Sequence, residues 1–197
     1  MNRIAYGNRN VWGSGNMLYP LPAVMVSCGN GIERPNIITL AWAGTICSSP
    51  AMVSVSIRPE RYSYPIVRET GEFVINLTTR DLVRAMDYCG VKSGRDVDKF
   101  SEIKLTAGKA SKVRAPIIME SPVNIECRVT QVIELGSHHM FLANVEAVDV
   151  DETYLDRNGR FDLGRANLIT YSHGVYYALG KELGTFGYSV RKKPAKK

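Results

Sequence analysis

From Val123 the chain reads VNIECRVTQV, with apolar Val123, Ile125, Cys127 and Val129 alternating with polar Asn124, Glu126, Arg128 and Thr130. A period of two predicts an antiparallel strand with its apolar side packed on a core and its polar side in water. The same period, or an apolar run of strand length, recurs in AVMVSC (23–28), NIITLAW (36–42), MVSVSI (52–57), EFVINL (72–77), MFLANVEAVDV (140–150) and NLITY (167–171). Helical signals are fewer. Thr78 and Asp81 form a capping-box pattern ahead of LVRAMDYC, with Gly90 placed to stop the helix, and a second helix from Ser63 to Thr70 would end at Gly71. Many short strands with a few inserted helices predict a mainly β fold, a β-barrel decorated by helices rather than a βαβ sheet. No repeat or linker interrupts the pattern, so residues 1–188 are expected to form a single domain and 189–197 a basic, disordered tail.

Charge changes the picture little. The formal net charge is +6, but the last seven residues, RKKPAKK, carry five positive charges, so the body is close to neutral and no nucleic-acid partner is expected. The amino end, MNRIAYGNRN, has no apolar stretch, and no apolar run approaches the roughly 18 residues that would span a bilayer, so a soluble cytoplasmic protein with no membrane partner is expected. Cys28, Cys47, Cys89 and Cys127 are scattered singly, a pattern that suggests neither a metal site nor a disulfide framework and fits reduced thiols.

The candidate chemistry lies between Thr39 and Tyr64, TLAWAGTICSSPAMVSVSIRPERYSY. Ala41, Ala43 and Gly44 are small enough for a flat ligand or a neighbouring backbone to come close, and Trp42 lies among them. Thr45, Cys47, Ser48 and Ser49 then offer donors and acceptors in what reads as a polar loop, suited to a polyol or a phosphate. The strand that follows delivers Arg58 and Arg61, with Ser63 beside them, and two guanidiniums near a hydroxyl suit a phosphate. A planar ring, a polyhydroxyl chain and a phosphate, in that order, are the parts of FMN. The same residues are also compatible with an ordinary hairpin whose serines face solvent and whose arginines pair with Glu60 or Glu69. No phosphate-binding P-loop is present, and Gly13 and Gly15 lack the preceding strand and third glycine of a dinucleotide fingerprint.

The segments LYPLPAVMVSCGN, PNIITLAWAGTICSSP, VSVSIRPERYSYPIVRETGEFVIN, DKF and ELGSHHMFLANVEAV, in that order and spacing, resemble the flavin reductase-like family, and the ending YYALGKELGTFGYSV is similar to its flavoredoxin branch. The resemblance runs from about Leu18 to Tyr188 and implies an FMN-binding split β-barrel, a homodimer, and hydride transfer from NADH or NADPH to the flavin. Electrons would then pass to free flavin, ferric iron or a redox protein partner. Two alternatives are an electron carrier reduced by a protein partner and a non-catalytic flavin-binding protein. At matching positions the family places Thr39, Leu40, Ala41 and Trp42 beside the isoalloxazine and Cys47, Ser48 and Ser49 at the ribityl and phosphate. Ser56 through Ser63, with Arg58, Arg61 and Tyr62, complete the phosphate grip. Asp98, Lys99 and Phe100 match a loop near the flavin, although Asp98 could equally start a helix. Some relatives with ferric reductase activity have a cysteine near the nicotinamide position, which makes Cys47 a candidate. His138 stands at the family's histidine and is the candidate donor to the nicotinamide carboxamide. Two departures stand out: Gly136-Ser137-His138 replaces the family's Gly-Asp-His, and Ala51 stands where a second proline is frequent.

Overall fold

The structure, a computed structural model, describes residues 9–191. Twelve strands form among them: β1 (Leu21–Pro22), β2 (Val24–Cys28), β3 (Asn36–Leu40), β4 (Ala43–Ser48), β5 (Ala51–Ile57), β6 (Glu72–Leu77), β7 (Ala107–Gly108), β8 (Ile117–Ile118), β9 (Val123–Glu134), β10 (His139–Val150), β11 (Ile169–Ser172) and β12 (Val175–Ala178). Helices α1 (Ser63–Thr70), α2 (Val83–Val91) and α3 (Lys99–Glu102) are inserted between them. The main sheet has seven antiparallel strands in the order β3-β2-β6-β9-β10-β5-β4, beside a small sheet β1-β11-β12 and the pair β7-β8.

The main sheet curls. Ile38 and Leu40 of β3, at one edge, share a single apolar core with Val53, Val55 and Ile57 of β5, near the other edge. Residues so far apart in strand order can meet only if the sheet wraps around them, which gives the expected split β-barrel. Strand β2 is buried along its whole length because both of its faces are covered. Val24, Val26 and Cys28 point into the barrel core, while Met25 packs outside it in a second cluster with Leu82, Met86 and Phe100. That two-sided burial explains why AVMVSC reads as a continuous apolar run.

Helix α1 follows its prediction. It ends at Gly71, whose φ of 66° suits a residue without a Cβ and whose N–H donates to Val67 O. Three expectations fail. The capping box does not form: Arg80–Leu82 make a 3₁₀ turn, α2 begins without a side-chain cap, and the buried Thr78 hydroxyl has no partner. Gly90 lies inside the last turn of α2 rather than after it, because the helix presses against β3 there, and a Cβ on Gly90 would sit 3.2 Å from that of Thr39. The expected polar loop at Thr45, Cys47 and Ser48 is strand β4, with Ser49 and Pro50 as the turn into β5.

The polar side of β9 is also more buried than the alternation predicts. Asn124 and Glu126 are buried: residues 111–113 fold over Glu126, and Asn124 faces Asn76 and Ile118 of β8. Glu126 accepts hydrogen bonds from the backbone N–H groups of Ser111, Lys112 and Val113 and from the Ser111 hydroxyl, and Asn124 donates to Asn76 Oδ1 and Ile118 O. Buried polar groups are tolerated when satisfied in this way. The basic tail expected from 189 lies outside the described residues from 192 onward, and Tyr188–Val190 form a 3₁₀ turn. Among the described residues no helix is long and apolar enough to cross a membrane.

Candidate functional site

The chain leaving β3 makes the first wall of the site. Thr39 sits against α2, its hydroxyl donating to Met86 O, and the Ser56 N–H donates to Trp42 O at 2.9 Å, which ties the Ala41-Trp42 turn to β5. His138 lies parallel to the Trp42 ring, 6.2 Å between centroids and 5° between planes. Together with Leu40, Arg58, Arg61 and the edge of α2, these residues surround a cavity of about 460 Å³. Tyr171 and Tyr176 close its far side, with the Tyr176 hydroxyl donating to Asp87 Oδ1 at 2.8 Å. Burial, reinforced by that bond to a carboxylate, pushes the Tyr176 phenol up to about 12. The result is a slot with apolar and aromatic walls, the form expected around a planar ring.

A second cavity of about 310 Å³ joins the first at Ile38, Arg61 and Gly90. Its lining is cationic: Arg61, Lys92, Arg95 and Lys99 face it, against the single carboxylate of Glu60. Glu60 is already engaged by Arg58 at 2.8 Å, whereas Arg61 and Lys99 make no ion pair among the described residues. Arg61 is held in the turn before α1, its N–H donating to Arg58 O and its carbonyl accepting from Tyr64 N–H.

Lys99 is the most informative residue of the site. Only 4 % of it is exposed, and its ammonium donates to Ile37 O at 2.6 Å and to Cys89 O at 2.8 Å. An ammonium has three N–H donors, so one is left over on a buried cation that has no counter-anion. Burial pushes its pKa down, and the Arg61 charge adds to the effect, while Cys89 and Cys28 oppose it. A buried charge without an opposite charge is costly, and an anion in the cavity relieves that cost. The donor set therefore fits a phosphate monoester, and the adjoining slot fits the ring it would carry.

The cavities bring together most of the residues singled out in the sequence. Thr39, Leu40, Ala41, Trp42, Ser56, Arg58, Arg61 and His138 line the first, and Arg61, Tyr62, Ser63 and Lys99 line the second. Ser63 is buried and its hydroxyl accepts from Asn36 Nδ2 at 2.7 Å. Lys99 is the first residue of α3, capped by Asp98, so the helix-start reading of that segment holds. Thr45, Cys47, Ser48 and Ser49 line neither cavity. They lie on the edge strand β4 and its turn, held in register against β5, with Cys47 opposite Met52. Arg58 also bears out part of the plain hairpin reading, through its pair with Glu60.

His138 keeps a neighbour despite the family departure before it. The Ser137 hydroxyl lies 2.9 Å from His138 Nδ1. Burial, reinforced by the Arg58 charge, pushes the His138 pKa down, which favours the neutral imidazole. A neutral imidazole offers one donor and one acceptor. Residues not anticipated from the sequence are Asp87 and Val91 of α2, Tyr176 of β12, and the loop Lys92-Ser93-Gly94-Arg95. The loop had a signal: two cations flank Ser-Gly immediately after a helical pattern and just before Asp-Lys-Phe.

Comparison with known proteins bears on the family and the fold. A family model described as the flavin reductase like domain matches residues 16–180. The flavoredoxin of Desulfovibrio vulgaris (Miyazaki F) is 33% identical and superposes with a TM-score of 0.85 over 93% of this chain and 100% of its own. An uncharacterized protein of Archaeoglobus fulgidus is 31% identical over 168 residues, covering 85% of this chain and 89% of its own. A ferric-chelate reductase (NAD(P)H) of the same organism is 25% identical over 129 residues, covering 65% of this chain and 73% of its own.

Proposed function

The chain belongs to the flavin reductase-like family, and from that premise we propose that it is an FMN-dependent oxidoreductase that takes hydride from NADH or NADPH. The observation that carries the reading is the buried, unpaired Lys99 ammonium, set with Arg61 in a cationic cavity that opens into a flat aromatic slot. When bound, FMN would supply the redox chemistry, hydride acceptance from the nicotinamide and electron donation to free flavin or ferric iron.

The work of the protein is binding and orientation. Arg61 and Lys99 hold the phosphate, with Arg58 assisting from its pair with Glu60. Thr39 through Trp42 form the wall against which the ring lies, and the Ser56 N–H holds that wall by its bond to Trp42 O. His138 lies against Trp42, neutral and able to donate to a nicotinamide carboxamide, which fixes the second ring in the close, aligned pose that hydride transfer requires. No acid–base triad is needed. The likeness to a flavoredoxin supports a second reading, in which the same site receives electrons from a protein partner.

We propose also that the chain pairs with a second copy of itself. Trp42 with Met17, Leu18, Ala43 and Gly44 surrounds an apolar hollow of about 610 Å³ beside the slot, and among the described residues β4 is an open edge of the main sheet. Met17 is 57% and Leu18 83% exposed, and apolar surface of this kind next to an open edge calls for a cover.

Titration of the purified protein with FMN, read by quenching of flavin fluorescence, tests the cofactor assignment. Saturable quenching at micromolar FMN is expected. A protein that neither carries flavin nor quenches it contradicts the assignment.

A further inference from the structure

Three residues of α2 face the ring slot, Asp87, Gly90 and Val91, at the i, i+3 and i+4 spacing that puts them on one side of a helix. Gly90 also lines the cationic cavity, as does Lys92 beyond it, whereas Asp87 lines the slot alone. Asp87 therefore lies about 4.5 Å along the helix axis from the junction, on the ring side of it. It is the single carboxylate in the lining of the slot, and it makes no ion pair among the described residues. Of the two arginines that share the lining, Arg58 is engaged by Glu60 and Arg61 stands at the junction with the cationic cavity.

The carboxylate is held in place. Tyr176, on β12, donates its hydroxyl to Asp87 Oδ1 at 2.8 Å. Burial, reinforced by that bond, pushes the phenol up to about 12, so the proton stays on the tyrosine at neutral pH. Tyr176 is itself steadied by Tyr171, 5.9 Å away between ring centroids, and Tyr171 by Tyr19 at the same separation.

An uncharged ring shares a slot with a carboxylate at little cost. Hydride transfer brings two electrons and one proton, so the ring gains one negative charge, and a like charge a few Å away opposes that gain. A ring that fills a cavity of about 460 Å³ lies within the Debye length, about 8 Å, of the side chains that line it, so salt leaves much of the repulsion in place.

We propose that the Asp87 carboxylate lowers the reduction potential of the bound flavin, which makes the reduced protein a stronger donor to its acceptor. The inference rests on the reading that places a flavin ring in this slot. Asp87 is a tuning group: it takes no part in the hydride transfer and acts only through its charge.

The test compares the unaltered full chain with Asp87→Asn, which keeps the shape and removes the charge, and with Asp87→Glu, which keeps the charge. Each is loaded with FMN, and the midpoint potential of the bound flavin is measured by anaerobic titration with dithionite against a reference dye. Fluorescence quenching measures the affinity for oxidised FMN in parallel. Because Asp87 is exposed, solvent weakens the repulsion. Asp87→Asn is expected to shift the preference for reduced over oxidised flavin by about tenfold, a rise of about 30 mV for a two-electron couple, and to bind oxidised FMN within a few-fold of the unaltered protein. Asp87→Glu should keep the low potential. A potential that is unchanged or lowered in Asp87→Asn, or that moves equally in both variants, overturns the inference while FMN binding stands. Loss of oxidised FMN binding in Asp87→Asn overturns it too, since Asp87 would then hold the flavin rather than tune it. Failure of the unaltered protein to bind FMN brings down the underlying reading instead, and the inference with it.

Discussion

Arg61→Ala separates the phosphate site from the ring site. Arg61 carries the charge at the junction of the two cavities, and no carboxylate among the described residues neutralises it. A hydrogen bond to a charged group contributes about 1.5–3 kcal/mol, and each 1.4 kcal/mol is about tenfold in Kd. Because Arg61 is exposed, solvent screening places the expected loss at the lower end, about tenfold in FMN affinity. Riboflavin, which has the same ring and ribityl chain and no phosphate, should bind the variant as well as it binds the unaltered protein. Parallel quench titrations with the two flavins measure the contrast, and repeating them at higher salt should weaken FMN more in the unaltered protein than in the variant. Arg58→Ala should cost less, since Glu60 already engages that guanidinium. Equal losses of FMN and riboflavin in Arg61→Ala would refute the placement of the phosphate beside Arg61.

His138→Ala should slow flavin reduction by a nicotinamide several-fold, the loss of one hydrogen bond of about 1 kcal/mol, and leave FMN affinity nearly unchanged. Because burial and the Arg58 charge push the His138 pKa down, any pH dependence that this imidazole gives the reduction rate should lie at more acid pH than that of an ordinary histidine. A second site concerns stability. The Asp149 carboxyl is raised by burial and by its contact with Glu126, and Glu126, though burial opposes it, is lowered by its hydrogen bonds with Ser111. A raised carboxyl contributes stability in acid that is lost as pH rises through its folded value, whereas the Glu126 contribution is lost as pH falls. Asp149→Asn, which supplies an N–H donor to Glu126 at every pH, should raise Tm at pH 7 by about 2–4 °C, the equivalent of about 1 kcal/mol, with little change near pH 3. An equal shift at both pH values would show that the carboxyl proton is not what matters there. Light scattering at micromolar concentration should return about twice the 21.9 kDa chain mass, and the single-chain mass would remove the proposed pairing.

The strands were legible because their periods are short and local. EFVINL is strand β6 residue for residue, and Gly71 stops α1 where its left-handed backbone requires. That Thr39 through Trp42, Ser56, Arg58 and Arg61 belong to one place was legible from the order of residue types along one stretch, and they line one cavity. What could not be read locally was the consequence of the fold closing on itself. On the polar side of β9, Glu126 is buried because residues 111–113, 13 to 15 positions away in sequence, cross it and hydrogen-bond its carboxylate. Gly90 carries the strongest local signal for a helix end, yet it serves the close contact of α2 with Thr39, 51 positions earlier. Lys99 shows both limits. Its place in Asp-Lys-Phe marked it as a candidate, but its burial and its bonds to Ile37 O and Cys89 O belong to the packing of α3 on β3, which no spacing encodes. Thr45 through Ser48 show the reverse error, since a run of small and hydroxyl residues serves an edge strand as well as a loop.

The central claim, a bound flavin reduced directly by a nicotinamide, is tested most directly by the visible spectrum of the FMN-loaded protein under anaerobic conditions as NADH or NADPH is added. Bleaching of the flavin band by one equivalent of either nicotinamide is the predicted result. A flavin band that persists with both nicotinamides and disappears only with dithionite would contradict the reductase and leave the electron carrier in its place.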